Sequence, residues 1–542
     1  MTILQFPSVG DPKESRDPWV KDSIYRLIKS SVDQTSGQLP TNGLDLPDEN
    51  SARNAERISW VAGARDGVAG VQVGERQKVL GKRAAELLGQ ISETADCAAA
   101  SALYRLLKEE SVLDFVDEAL RCVAEKNLEA APHLHEVALK LATEAADRGP
   151  VKFGIALLGT LRLRAHQDVV CVLGRHDEFT LFAAVALRNM LDDPETAIWN
   201  LAKRVRGWGR IQAVNRLVPT ASPEIQRWLR TDGFRNSVMH EYLAFIAATN
   251  GRLAAALELP LVEDAELASA GEIIDALIAG NAGPVEGIDQ YEDAAKTCQL
   301  YLSHVKRHSP VLCHFLTTQL IREYIEGDER PSDQRLKQGW SESAQNSVRD
   351  LCANILENEQ WNDLVLSELN SGEDRAFHRA SRAAEYLGLD TFECHWARLK
   401  SQPQEAARWY HVMHRANPER IDQIIELAER ELPLDAIATG PTDALGIGPG
   451  FHFQGCLGFV LQDLKGFPGK GWRLIDAGIR SPGKRNRVMA LNALERWELG
   501  AWPPGVRSVL EVAHSLEPDQ KLRERFELNS RTDRFEMRPL PW

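Results

Sequence analysis

From about Glu75 onward, apolar residues recur at helical spacing in short runs, and breaks rich in Gly, Pro, Asn and Asp separate the runs. ERQKVLGKRAAELLGQI, CAAASALYRLLKEE, VLDFVDEALRCVAEK and HLHEVALKLATEAAD follow one another in this way. Apolar side chains three and four residues apart line one face of a helix. A short helix with a single apolar stripe must bury that stripe on a neighbour. Long alternating strand patterns are absent. The pattern predicts an all-α chain. The breaks carry helix punctuation: in DDPETAIWNLAKRVR, Asp193 is placed to cap the helix and Pro194 to open it. Because the runs come in pairs, the expected architecture is an α-solenoid of stacked antiparallel helix pairs.

One stretch within this pattern has the residue types of a binding site. RVRGWGRIQAVNRL gathers Arg204, Arg206 and Arg210 around Trp208. Its second half has an echo near the C-terminus. RIQAVNRL (210–217) and RVMALNAL (487–494) share R-[IV]-x-A-[VL]-N-x-L. Each follows a basic turn, RVRGWG or SPGKRN, and each precedes a proline, in SPEIQRWL and PPGVRSVL. Arg206, Trp208, Arg210, Lys484, Arg485 and Arg487 are therefore the candidate binding residues, on an edge able to meet acidic or phosphate groups. The same spacing also suits a joint between repeats, in which the basic residue bonds inter-repeat carbonyls and the Trp fills the joint.

With these helix pairs and the recurring R-[IV]-x-A-[VL]-N-x-L helix, the chain resembles HEAT-like α-solenoid proteins. Repeats of that family run to about 40–47 residues, so about ten would fit between residues 75 and 530. The stretches 205–253 and 464–497 resemble a bacterial group of HEAT-like proteins often labelled "limonene hydroxylase". The label implies an oxygenase and hence haem, flavin or non-haem iron. In GPGFHFQGCLGF, Cys456-Leu457-Gly458 matches the end of a haem-thiolate signature, but Pro449, His452 and Gln454 stand at the positions the signature gives to Phe, Gly and a basic residue. TGPTDALGIGPG lacks dinucleotide spacing, and GFPGKGW lacks the Ser or Thr of a P-loop. His166-Gln167-Asp168 has an iron-type spacing but lies between helices.

Two His/Cys clusters are speculative structural zinc sites. His304 and His308 are i, i+4 on one helix face, and Cys394, His395, His411 and His414 span two successive helices. Neither has C-x-x-C spacing, and no other cofactor is expected.

The organisation expected from composition is a poorly ordered arm over 1–50, a helical region over 51–174 and a central solenoid over 175–430. A Gly/Pro-rich loop and helix follow over 431–470, then C-terminal repeats over 471–530 and a tail over 531–542. The 64 basic and 78 acidic residues leave a net charge of -14. That balance disfavours a nucleic-acid coat, which needs a positive footprint. The start shows no leader pattern, no run is apolar enough to span a bilayer, and the eight scattered cysteines read as reduced thiols, so the expected location is cytoplasmic. The expected function is a non-catalytic scaffold binding another protein along a concave solenoid face. The alternatives are the oxygenase implied by the label and nucleic-acid binding through the basic turns.

Overall fold

The computed structural model describes residues 22–40, 43–49, 60–68, 74–131, 133–283, 285–327, 333–448 and 450–531. Among these residues the only regular structure is helical. The chain divides into two compact units, Met1–Asn358 and Glu359–Trp542. The division falls inside the stretch 175–430 that the sequence reading treats as one block. The tail beyond Arg531 lies outside the described residues.

In the first unit, α1 (Ile24–Ser31) packs on α2 (Leu134–Glu144) and α4 (Gln167–Leu173). The chain then runs through α3 (Arg148–Thr160), α5 (Asp177–Met190), α6 (Glu195–Ala202) and α7 (Trp208–Val214). α2 packs on α3, α3 on α5, and α5 on both α6 and α7. Beyond α7 the long helices Asp264–Gly280, Leu312–Glu326 and Glu342–Leu356 continue the pattern, each packed on the next of the three. Part of the 1–50 stretch is packed rather than loose: Ile24 and Ile28 are fully buried, because α1 turns its apolar stripe onto α2 and α4. Residues 1–21 lie outside the described residues.

In the second unit, α8 (His452–Leu464) packs on α9 (Trp472–Ile479) and α10 (Lys484–Arg496), and α11 (Val506–Leu516) pairs with α12 (Gln520–Arg531). Trp409, Leu461, Leu491 and Phe526 are all fully buried in one core.

The breaks seen in the sequence act as caps. Asp96 accepts from the amides of Ala98 and Ala99 at 2.8 and 3.3 Å, and Ser222 caps the helix opened by Pro223. Such caps satisfy amides that a helix start leaves without partners. Two expected starts shift. α6 begins at Glu195 with Pro194 at the cap, so Asp193 stands one residue outside it. α11 begins after Gly505, whose φ of 88° is left-handed, and not at the prolines.

The sequence echo has a physical basis. Arg210 donates from Nε to the Val205 carbonyl at 2.8 Å, and from Nη1 to the carbonyls of Arg235 and Asp232 at 2.8 and 3.2 Å. Arg487 donates from Nη1 to the carbonyls of Pro482 and Ser481 at 2.8 and 3.0 Å. It also meets Thr442 O and both carboxylate oxygens of Glu517. In both cases a guanidinium at the start of a helix bonds the carbonyl five residues back and reaches a later segment. Turn carbonyls buried between helices need donors, and a planar fork with five N–H groups supplies several at once.

Arg487 and Glu517 are both 1% exposed. Removing one partner of such a pair leaves an uncompensated buried charge and costs about 3–5 kcal/mol. Arg487→Met is expected to lower stability by about that amount in urea unfolding of the full chain. Arg210→Met strands carbonyls and loosens only the half-exposed Asp232, and should cost about 1–3 kcal/mol. In the double variant Arg487→Met/Glu517→Leu, much of the first loss should return.

Candidate functional site

The basic residues of RVRGWGRIQAVNRL separate into two environments. Arg204 and Arg206 line a cleft of about 380 Å³ in the first unit. Trp208 and Arg210 do not line it. Arg210 is 6% exposed and braces the turn, and Arg487 is fully buried and does the same in the second unit. For these two binding candidates the donors are taken up by protein carbonyls and, for Arg487, by Glu517. Trp208 is 8% exposed and packs on Tyr242 with ring centroids 5.1 Å apart. A Cβ on Gly67 would meet the Trp208 ring at 2.7 Å, so this indole seals the joint between residues 63–67 and α7. Lys484 pairs with Asp519, and the Arg485 guanidinium lies 4.8 Å from the centre of the Phe459 ring.

The Gly-Trp-Gly knuckle exists because of Asp177. A Cβ at Gly207 would lie 2.0 Å from one Asp177 carboxylate oxygen, and a Cβ at Gly209 would lie 2.6 Å from the other. Burial pushes the Asp177 carboxyl up to about 6, against the opposing pull of the Gly209 and Gly207 amides. Only glycine lets the backbone approach so closely.

Next to Asp177 a buried ionic network ties N-terminal segments to the helices. Lys152 of α3 contacts Asp66 and Glu178, each at 2.6 Å. Glu178 also accepts from the Gly63 amide at 3.0 Å. Burial works against the Glu178 charge, but Lys152 and Arg148 outweigh it and hold the carboxyl down at about 2. Arg148 bonds Asp48 at 3.0 Å and Glu49 at 2.8 Å. His176 Nε2 donates to the Leu44 carbonyl at 2.9 Å. These bonds hold residues 44–49 against α3 and the start of α5, and so build one wall of the cleft. The sequence reading missed Arg148, Arg175 and Asp177. No local spacing marks them: Arg148 and Asp177 meet partners far along the chain, and Arg175 comes to the cleft only through the fold.

The histidine clusters are engaged elsewhere. His304 Nε2 donates to the Leu257 carbonyl at 2.9 Å, and Arg307 donates to its Nδ1 at 3.2 Å. Both ring nitrogens of His308 face carbonyls, those of His304 and Val262. His395 Nε2 lies 2.8 Å from Ser381 Oγ, and its ring stacks on His411 with centroids 5.1 Å apart. Burial, with Arg415 and His411 beside it, pushes His395 down to about 3. His414 stacks on Tyr410 instead, and Cys394 is half-buried. Among the described residues no group of three or more His, Cys, Asp or Glu side chains is arranged to hold a metal. Cys456 lies buried in α8, 3.2 Å from the Gln404 carbonyl, and burial pushes its thiol up to about 11.

Asp177 and Glu178 make opposite contributions to stability with pH. The Asp177 carboxyl is raised from 3.8 to about 6, so the folded chain holds its proton more tightly and loses stability as pH rises through that window. The Glu178 carboxyl is lowered from 4.5 to about 2, so its contribution is complete above 4.5 and is lost as pH falls toward 2. Urea unfolding across pH should therefore show a gain as pH falls from about 6 toward 4.5 that Asp177→Asn removes, and an acid loss at lower pH that Glu178→Gln reduces. Gly207→Ala should cost about 1–3 kcal/mol through overpacking against Asp177. Gly500→Ala, with nothing within 4 Å of its added Cβ, should be near neutral in the same melts.

Compared with protein-family models, curated proteins and solved structures, the chain matches none.

Proposed function

We propose that the protein is a non-catalytic interaction scaffold of HEAT-like helical repeats that docks another protein, with one docking point on the Gly-rich loop of the second unit. Two features support the repeat reading: helices that pack on their sequence neighbours, and the arginine brace that recurs at Arg210 and Arg487. Architectures of this kind expose extended surfaces for partners.

The observation that carries the docking point is an ordered loop holding apolar side chains in solvent. Residues 440–445 run beside the basic turn at 480–485. Gly440 N donates to Arg480 O at 2.8 Å, Lys484 N to Ala444 O at 2.9 Å, and Arg485 N to Leu445 O at 3.1 Å. Gly446, at φ 84°, packs so closely on Gly483 that a Cβ there would lie 2.6 Å from the Gly483 Cα. Pinned in this way, the loop leaves Leu445 67% and Ile447 69% exposed. Apolar side chains held in solvent by a pinned loop offer a partner a contact that loses little ordering entropy on docking.

Affinity purification from the native host, with mass spectrometry, tests this reading. The intact chain should retain a partner in near-stoichiometric amount. Leu445→Ser/Ile447→Ser should lose it while melting at the same temperature. An identical partner set for both proteins would overturn the docking point. Oxygen-dependent turnover of limonene by the purified chain would overturn the non-catalytic reading.

A further inference from the structure

The cleft of the first unit has an unbalanced charge that the docking loop does not address. Four arginines line it: Arg148, Arg175, Arg204 and Arg206. Arg148 is neutralised by Asp48 and Glu49, and Arg206 donates to the Gln38 side chain. Arg175 and Arg204 make no side-chain hydrogen bond or ion pair among the described residues. The Arg175 Nε is buried without a partner. Three carboxylates share the lining, and each is already engaged. Glu49 accepts from Arg148, Asp177 faces the Gly207 and Gly209 amides, and Asp45 has a partner of its own. Burial and the nearby Arg204 charge both push the Arg175 guanidinium down.

A buried donor left unpaired costs free energy, and two like charges facing one cavity add to that cost. An oxyanion placed between the two guanidiniums would remove both penalties through fork-like, charge-assisted bonds. Leu39, Leu44, Trp60 and Val61 add apolar surface to the same lining. A volume of about 380 Å³ is at the small end of ligand clefts. Two guanidiniums without a carboxylate partner among the described residues offer more forked donors to a phosphate dianion than a monoanionic carboxylate can accept.

We infer that Arg175 and Arg204 form the head-group site for a small phosphate monoester whose apolar body lies against Trp60 and Leu44. This site is in the first unit and does not depend on the docking loop of the second.

Titration calorimetry of the full chain with phenyl phosphate tests the inference, at about pH 7.5, where a phosphate monoester carries close to two charges. Saturable one-to-one binding is expected. Arg175→Gln and Arg204→Gln should each weaken it about tenfold or more. Each replaces a cation with no ion pair among the described residues, so neither should lower the melting temperature. Trp60→Ala should weaken phenyl phosphate while leaving inorganic phosphate unchanged. Benzoate, with the same apolar body and one charge, should bind more weakly. No saturable binding, or binding by either arginine variant as tight as by the unaltered chain, would overturn the site. Benzoate binding as tightly as phenyl phosphate would overturn the assignment of phosphate as the head group.

Discussion

A buried guanidinium at the start of a helix, bonded to the carbonyl five residues behind it, is the constraint around which both units are arranged. Chains of short helices accumulate turns, and every turn brings carbonyl oxygens toward a neighbour's packing surface. Those oxygens must be paired or hydrated. Arg210 gathers three of them from the segments 205 and 232–235, and Arg487 gathers three from 442 and 481–482. The two braces differ in how they handle charge. Arg487 is matched by Glu517 in a fully buried pair. Arg210 has only a longer contact to the half-exposed Asp232 at 3.7 Å and otherwise relies on carbonyl dipoles.

Much of the helix content is legible in the sequence because its signal is local. Apolar spacing and caps such as Asp96 and Ser222 act within a turn or two of their own position. The echo of RIQAVNRL in RVMALNAL points to a shared structural task, and the arginine geometry supplies it. The basic knuckle itself is ambiguous in sequence. Arg206 and Arg210 are four residues apart and alike in composition, yet one lines a cleft and the other is buried in a turn. Only the packing around them separates the two.

The cleft is illegible for a different reason. Its lining comes from residues 38–40, 43–46, 49, 60–62, 148, 175–177, 204–207 and 237, and no pattern links segments so far apart. Helical spacing likewise overstates the histidines. His304 and His308 do share a helix face, but carbonyls from Leu257 and Val262 approach that face and engage both rings. Spacing sets which side chains are neighbours on one helix and does not show what comes to meet them.

The straps made by the N-terminal segments also bear on the order of assembly. Most helices of the first unit settle on partners close by in sequence, contacts that close quickly during folding. The bonds from Asp48 to Arg148, Gly63 to Glu178, Leu44 to His176 and Gln38 to Arg206 span 100 to 168 residues. During synthesis the strap leaves the ribosome long before its anchors exist. It must wait, undocked, until the chain has been made through Arg206 and α3 and α5 have formed. The cleft is therefore a late product of folding, closed by earlier-made segments onto helices translated after them.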